Sequence, residues 1–429
     1  MKRILLIVFS LLTLTTVHGQ ERSQVLKVCN WDEYIDPELI GEFEAWYRRQ
    51  TGKSIKVEYE VTDYPEDQLA TIESGAYDCD VFCPPEYLVE RMLRRQLLMK
   101  IDTSFTARGI PNWMNGTSAF VDSTLQNIGK DSNVRMKDYC VGYLWGTTGV
   151  VFNTKYVKRS DVESWRFLFD SKFRNKIVIK DSPSDLYNIL ITYAKYEEIE
   201  AGRITRNALA THLSNENIAL VEDLLKQARP QMKAFEVEDD KRLLANGTHR
   251  IAVTWNGDAN WAVDSVSEGV SLEFIVPKEG SDVWFDCWVV PATCRNAEAA
   301  GYWINFLCKP EHALRNMDFT GYSSAVGTSE ILAAVTDTLL LHPVDLSYFF
   351  GPEATAVYVD PIMYPDREII ERCSILRDCG GRQEVMREIW LRMKKMNPTD
   401  SATWYVAVGI IIIILAAIAV AVGRRKHQR

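Results

Sequence analysis

A strand–helix–strand unit near the start of the chain constrains its fold more than any other feature. Residues 25–29 form an apolar strand, and the segment after them carries one apolar helical face. That face consists of Leu39, Phe43, Trp46 and Tyr47. Gly52 ends the helix, and residues 55–59 alternate as a second strand. Because a crossover helix joins parallel strands, the sequence predicts an α/β fold with a parallel sheet.

The pattern recurs along the 429 residues, a length sufficient for two domains with full cores. Short apolar strands are predicted at residues 80–83, 177–179 and 251–254, and a loop with polar residues follows each of them. Two further strands are predicted around Gly146, at residues 141–145 and 148–152.

Aromatic and acidic side chains collect in the loops that follow the predicted strands. In open parallel sheets, ligands bind at this carboxyl edge. The residues are Trp31, Glu33, Tyr34, Tyr87, Asp185, Trp255, Asp258, Trp284 and Asp286. Ring faces attract a cation and carboxylates accept its N–H bonds, so the set predicts a cleft for an organic amine. Taken singly, each has a structural explanation, such as a helix N-cap for Asp185 or a packing role for Trp284.

The predicted strand that contains Trp284 and Asp286 presents an aromatic ring and a carboxylate on one face. Residues i and i+2 of an extended strand share a face, so an indole and a carboxylate should point the same way. Asp282 lies further back on that face, in the predicted turn, and is expected to tolerate change to Asn.

No catalytic or metal-binding pattern competes with this interpretation. His212, His249, His312 and His342 fall in unrelated segments, and neither a G-x-S-x-G motif nor a phosphate loop is present. Cys79 and Cys83 have no histidine nearby that would complete a zinc site. The sequence therefore predicts a binding protein rather than an enzyme, without a metal or cofactor.

The two ends of the chain predict export and a membrane anchor. Lys2 and Arg3 precede an apolar run, so residues 1–19 are interpreted as a signal peptide. Residues 404–423 are apolar, uncharged and long enough to span a bilayer, and the basic residues 424–429 follow them. By the positive-inside rule, residues 424–429 form a cytoplasmic tail. The binding domain is thus expected on the periplasmic or extracellular side of a single-pass type I membrane protein.

Charge and cysteine content fit that location. The net charge is −9 although both predicted terminal segments are basic, so the exported domain is acidic. An acidic surface disfavours nucleic acid and suits cationic ligands. Nine cysteines on the oxidising side predict disulfides, with Cys373 and Cys379 as the best pair and at least one thiol left over.

Several motifs, in order along the chain, resemble the bacterial spermidine/putrescine-binding proteins of ABC polyamine importers. They are Asn-Trp-Asp-Glu-Tyr at 30–34, Tyr-Leu-Trp-Gly at 143–146, Trp-Asn-Gly at 255–257, Trp-Phe-Asp at 284–286 and Gly-Tyr at 321–322. The resemblance implies a type II periplasmic-binding-protein clamshell with a ligand in the cleft at its hinge. Residues 20–141 and 286–330 would form lobe 1, and residues 142–285 and 331–400 would form lobe 2.

The resemblance also implies roles for individual residues. The methylene chain of the ligand would be boxed by Trp31, Tyr34, Tyr87, Trp255, Trp284 and Tyr322. The ammonium ends would be met by Glu33, Asp185 and Asp286, and Asp258 matches an acid of the putrescine-preferring members. Pro85, Ser182 and Leu376 depart from the family pattern, because each stands where a polar or acidic residue is expected.

The sequence therefore predicts a membrane-anchored solute-binding protein that captures a polyamine, putrescine-like or spermidine-like, for uptake through an importer permease. The alternative is a polyamine-sensing ectodomain of a signalling complex. The short predicted tail, residues 424–429, would oblige such a sensor to signal through a partner protein.

Overall fold

The structure is a computed structural model that describes residues 24–62, 64–130, 133–236 and 239–396. Its strands are β1 (Val25–Asn30), β2 (Lys56–Val61), β3 (Val81–Phe82), β4 (Cys140–Asn153), β5 (Ile177–Lys180), β6 (Met232–Glu236), β7 (Ile251–Trp255), β8 (Leu272–Ile275), β9 (Ser281–Val289), β10 (Ser323–Ser324) and β11 (Cys373–Ile375). The first helices are α1 (Glu38–Thr51), α2 (Pro65–Glu73), α3 (Glu86–Arg94), α4 (Ala119–Ile128), α5 (Arg159–Val162), α6 (Pro183–Ala194), α7 (Tyr196–Glu200), α8 (Arg206–Thr211) and α9 (Asn215–Ala228). The others are α10 (Asp240–Ala245), α11 (Asn256–Asp264), α12 (Ala297–Leu307), α13 (Pro310–Thr320), α14 (Ser329–Val335), α15 (Ser347–Phe350), α16 (Arg367–Glu371) and α17 (Gly381–Lys395).

Parallel strands flank a long antiparallel pair in the centre of the sheet. The strand order is β2-β1-β3-β9-β4-β7-β5-β6, with β8 and β10 also on β4 and β11 on β9. β1 is parallel to β2 and β3, and β5 is parallel to β6 and β7, which confirms the predicted parallel units. β4 and β9 run antiparallel to each other.

β4 connects the two halves of the sheet. Its residues up to Thr147 pair with β9, and from Thr148 onward they pair with β7. The prediction of two separate strands around Gly146 is wrong, because all fourteen residues of β4 are buried in one continuous strand. A glycine at that position permits close packing instead of breaking the strand.

Two large hydrophobic clusters lie on either side of the central pair. The first contains Phe43, Trp288, Trp303 and Phe306, whereas the second contains Phe152, Trp165, Leu190 and Trp390. Two cores joined by long strands agree with the expected two-lobe architecture. The lobe boundaries stay a prediction, and packing favours moving part of residues 331–400, because Phe349, Tyr364 and Leu376 belong to the first cluster.

The predicted terminal segments lie outside the described residues. These are the signal peptide (1–19), the membrane span (404–423) and the tail (424–429). Within the part of the chain that the structure describes, no helix has the length and apolar character needed to cross a membrane.

The predicted disulfide between Cys373 and Cys379 is not formed, and all nine cysteines are free thiols. Cys373 is held in β11, where its Sγ lies 3.3 Å from the carbonyl oxygen of Ile369. The Sγ of Cys379 lies 3.2 Å from the carbonyl oxygen of Thr211, on a different neighbour. Closeness in sequence was a poor guide here, because β11 holds Cys373 while Cys379 lies beyond the strand against other residues.

Gly280 fixes the turn that leads into β9. Its φ is +94°, and a Cβ at this position would lie 1.9 Å from the backbone oxygen of Arg372. Left-handed backbone geometry and close approach to another backbone both require glycine here.

Gly280→Ala is therefore expected to destabilise the fold more than the matched change Gly351→Ala. Gly351 has a φ of +106° but nothing within 4 Å of its added Cβ. The control should cost about 1–3 kcal/mol from backbone strain alone. The clash should add roughly 1–3 kcal/mol more at Gly280. Denaturant unfolding of both variants measures the difference, and equal midpoints would contradict the steric argument.

Candidate functional site

A cavity lies where the strand ends of the two halves of the sheet meet. It encloses about 620 Å³ of empty space, some of it open to solvent. All ten residues predicted from the sequence line it: Trp31, Glu33, Tyr34, Tyr87, Asp185, Trp255, Asp258, Trp284, Asp286 and Tyr322. The structure thus brings the predicted residues together, and their role in binding stays a prediction. The lining also includes Asp32, Pro85, Ser182, Lys241 and Leu376.

The carboxyl ends of the strands explain this convergence. Trp31 follows β1, Trp255 ends β7, and Asp185 lies in the first turn of α6, which follows β5. β9 crosses between them and contributes Trp284 and Asp286, which point to the same cavity as their spacing predicted. The backbone N–H of Phe285 between them donates to Glu86 Oε2 at 2.9 Å, which ties β9 to α3.

The aromatic side chains form a continuous series of ring contacts. Trp31 and Trp255 have ring centroids 5.8 Å apart, and Trp255 lies 5.9 Å from Trp284. Tyr322 then lies 5.5 Å from Trp284 and 5.2 Å from Tyr34. Most of these pairs meet edge to face, a favourable arrangement for aromatic rings. Each ring holds its neighbour, so the walls are formed before any ligand arrives.

Asp286 is a buried carboxylate held by two aromatic donors. Tyr34 Oη donates to Oδ2 at 2.7 Å, and Trp31 Nε1 donates to Oδ1 at 3.3 Å. Burial raises the pKa of Asp286 to about 7, although these two hydrogen bonds favour the ionised form. In the part of the chain that the structure describes, no Lys or Arg nitrogen lies within 4.0 Å of this carboxylate.

Asp185 resembles Asp286 in its surroundings. Trp255 Nε1 donates to its Oδ2 at 2.7 Å, so each of the two touching indoles binds one carboxylate. Burial raises the pKa of Asp185 to about 6. The N-cap explanation for Asp185 is wrong, because Ser182 caps α6 and its side chain accepts from the backbone N–H of Asp185.

Glu33 and Asp258 differ, because basic side chains already contact them. Lys241 Nζ lies 3.0 Å from Glu33 Oε2, and Arg242 also pairs with Glu33. Lys180 Nζ pairs with Asp258. The sequence reasoning missed these cations. Lys180 directly follows the predicted strand at residues 177–179 and could have been noticed there. The position of Lys241 on α10 gives no such signal.

One acidic side chain near the cavity departs from its expected setting. Asp282, expected to tolerate change, is fully buried and accepts from Thr148 Oγ1 at 2.9 Å, which makes it unsuitable as a control. Tyr87 lines the cavity as predicted, and its hydroxyl donates to Glu66 at 2.6 Å. Among the described residues, no group of three or more His, Cys, Asp or Glu side chains is placed to hold a metal ion.

The chain is similar in sequence to known solute-binding proteins. The family model described as "Bacterial extracellular solute-binding protein" matches residues 38–338. The spermidine/putrescine-binding periplasmic protein of Salmonella typhimurium is 27% identical over 384 residues, covering 89% of this chain and 95% of that protein. The putrescine-binding periplasmic protein PotF of Escherichia coli is 26% identical over 335 residues, covering 75% of this chain and 83% of that protein.

Solved structures confirm the predicted periplasmic-binding-protein fold. The substrate-binding protein PotD of a spermidine/putrescine ABC transporter from Streptococcus pneumoniae superimposes with a TM-score of 0.61 at 25% identity, covering 86% of this chain and 98% of that chain. A lipoprotein of Treponema pallidum gives a TM-score of 0.63 at 20% identity, covering 86% of this chain and 99% of that chain. The expected two-lobe α/β architecture is thereby confirmed.

The raised pKa values of Asp185 and Asp286 predict how binding of an amine depends on pH. A bound ammonium favours the ionised carboxylates, so binding releases protons and the affinity rises with pH until both groups are ionised. We expect the affinity for the amine to increase between about pH 5 and 7.5, by at most about a hundredfold per pH unit. Above about pH 7.5 the affinity should stay constant. Calorimetric titration in buffers of different ionisation enthalpy measures the protons released. A flat profile from pH 5 to 8 would contradict the assignment.

Proposed function

The chain belongs to the bacterial extracellular solute-binding protein family, and from that premise we propose that it captures a linear polyamine in the interlobe cavity for uptake. Its relatives with this fold are named as spermidine- and putrescine-binding proteins. Capture requires only closure of the two lobes around the cation, without any chemical step. An ABC permease would then receive the ligand.

The observation that carries the proposal is the setting of Asp286. Its side chain is 5% exposed, is held by Tyr34 and Trp31, and has no basic partner in the described part of the chain. An unpaired buried carboxylate is costly, so a site that retains one gains most from a cation that enters the cavity. The adjacent indole of Trp284 offers a ring face to the same cation. A linear amine with an apolar chain satisfies both requirements.

Asp286→Asn is expected to abolish tight binding while preserving the fold. The change keeps the shape of the side chain and removes the charge that pairs with the ammonium. Loss of one partner of a buried charge pair costs on the order of 2–5 kcal/mol. That corresponds to roughly 30- to several-thousand-fold in the dissociation constant for putrescine or spermidine, measured by calorimetry.

Asp32→Asn is the matched control for this experiment. Asp32 lies at the same cavity but is exposed, and its Oδ1 accepts from the backbone N–H of Glu33 at 3.0 Å. Removing an exposed charge should change the dissociation constant by about fivefold or less. Equal affinities for all three proteins would show that Asp286 does not meet the ligand. Binding of glutamate or sulfate, with no binding of either polyamine, would refute the ligand class.

We further propose that residues 404–423 anchor the binding domain to the membrane. The segment is apolar and uncharged, and basic residues follow it. Truncation before Thr403 should release a folded, soluble domain into the exported fraction, detected by fractionation and thermal unfolding. A full-length chain that already partitions with soluble proteins would rule out the anchor.

A further inference from the structure

Two lysine ammonium groups pair with acidic residues of the cavity wall. Lys241 lines the cavity with its side chain 5% exposed, and its Nζ lies 3.0 Å from Glu33 Oε2 and 3.9 Å from Asp258 Oδ1. Lys180 lines the neighbouring cavity with its side chain 2% exposed, paired with Asp258 and 3.6 Å from Asp240 Oδ1. We call Lys180 and Lys241 the lysine pair.

Lys180 already has the partners that an amine ligand would need. Its Nζ contacts the Asp258 carboxylate and lies 4.3 Å from the centroid of the Trp255 ring. A carboxylate and an indole face are the two groups that recognise an organic ammonium. The butylammonium chain of Lys180 thus occupies a position where a ligand ammonium would otherwise fit.

The acidic side chains of this wall already have basic partners. The lysine pair and Arg242 contact the carboxylates of Glu33, Asp258 and Asp240, and Arg242 also lies 3.8 Å from Asp239 Oδ1. Burial raises the pKa of Asp240, and protonation there would only make the wall more positive.

Two buried acids of the cavity have no such close basic partner among the described residues, although Lys180 partly offsets the burial that raises the pKa of Asp185. Asp185 and Asp286 accept hydrogen bonds from Trp255 and Trp31, and within the described ranges neither forms an ion pair with a Lys or Arg. The other acid of the lining, Asp32, is exposed to solvent. Two buried negative charges therefore remain for a ligand to neutralise.

We propose that the lysine pair makes the cavity selective for a linear diamine and excludes triamines. The two ammonium ends of the diamine would meet Asp185 and Asp286. A third ammonium would have to approach Lys241, and like charges at close range are strongly unfavourable. An ω-amino acid is excluded as well, because its carboxylate would lie beside Asp185 or Asp286 when its ammonium meets the other of the two. This selectivity rests on the proposed function, since it specifies which polyamine the same cavity takes.

The test compares putrescine with spermidine on three proteins by calorimetry. Wild type should bind putrescine at least about 30-fold more tightly than spermidine, a ratio typical of one close like-charge contact. Lys241→Gln removes the ammonium from the cavity and should reduce the ratio to about threefold or less, mainly by tighter spermidine binding.

Arg242→Gln is the matched control. Arg242 pairs with the same Glu33, but its side chain is 43% exposed and it does not line the cavity. The control should keep the wild-type ratio. Lys180→Met is avoided, because it leaves the buried Asp240 and Asp258 without this partner.

The outcomes separate this inference from the proposed function. If wild type binds neither amine, the proposed function fails and the inference fails with it. Amine binding with equal affinity for putrescine and spermidine would overturn only the selectivity, and this measurement needs no variant. Equal ratios for Lys241→Gln and Arg242→Gln would overturn the role of Lys241. Tighter binding of 4-aminobutyrate than of putrescine would show that Lys241 recognises an anion, which also overturns the inference.

Discussion

The pairing of β4 with β9 is the constraint on which the rest of the structure depends. Both strands are buried along their whole length, and β4 changes partner from β9 to β7 between Thr147 and Thr148. The pair therefore belongs to both halves of the sheet and fixes where the strand ends meet. Gly146 allows this close packing, since a Cβ there would lie 2.7 Å from the Trp284 ring and 2.0 Å from Asn256 Oδ1. The cavity wall is thus set by the same backbone that joins the lobes.

The contacts that bridge the mouth of the cleft differ in exposure. Tyr64 Oη donates to Asp181 Oδ2 at 2.9 Å, and Arg387 lies 3.0 Å from Asp67 Oδ1. Asp67 is 58% exposed and Arg387 38%, and an exposed ion pair contributes only about 0–1 kcal/mol. The Asp181 side chain is only 7% exposed, and the Lys241 side chain, 5% exposed, joins Glu33 across the predicted lobe boundary. The exposed pair therefore adds little to the contact between the predicted lobes.

Sequence alone identified residues that line one cavity because of a general property of α/β sheets. Residues such as Trp31, Trp255 and Asp185 follow separate strands, and the carboxyl ends of parallel strands meet at one edge. Trp284 and Asp286 were paired by strand periodicity, which is local and reliable. Those inferences needed no knowledge of which side chains touch.

Strand periodicity and sheet topology could not predict which charged side chains form ion pairs or which side chains are buried. Lys241 and Glu33 are 208 positions apart on different elements, so no local pattern relates them. Asp282 was assigned to an open turn, but β9 begins one residue earlier and buries it. The disulfide between Cys373 and Cys379 failed for a related reason, because β11 pairs with β9 and takes Cys373 into the core. Each error concerns a contact made by tertiary packing.

The buried acids connect stability with function. Burial raises the pKa of Asp286 to about 7, well above its value in an unfolded chain. As the pH rises through this value the ionised carboxyl opposes folding, because the unfolded chain accommodates the charge in water. An ammonium in the cavity offsets that penalty and stabilises the closed, folded chain by mass action. Asp286 therefore differs from Glu33 and Asp258, which already pair with lysines of the chain itself.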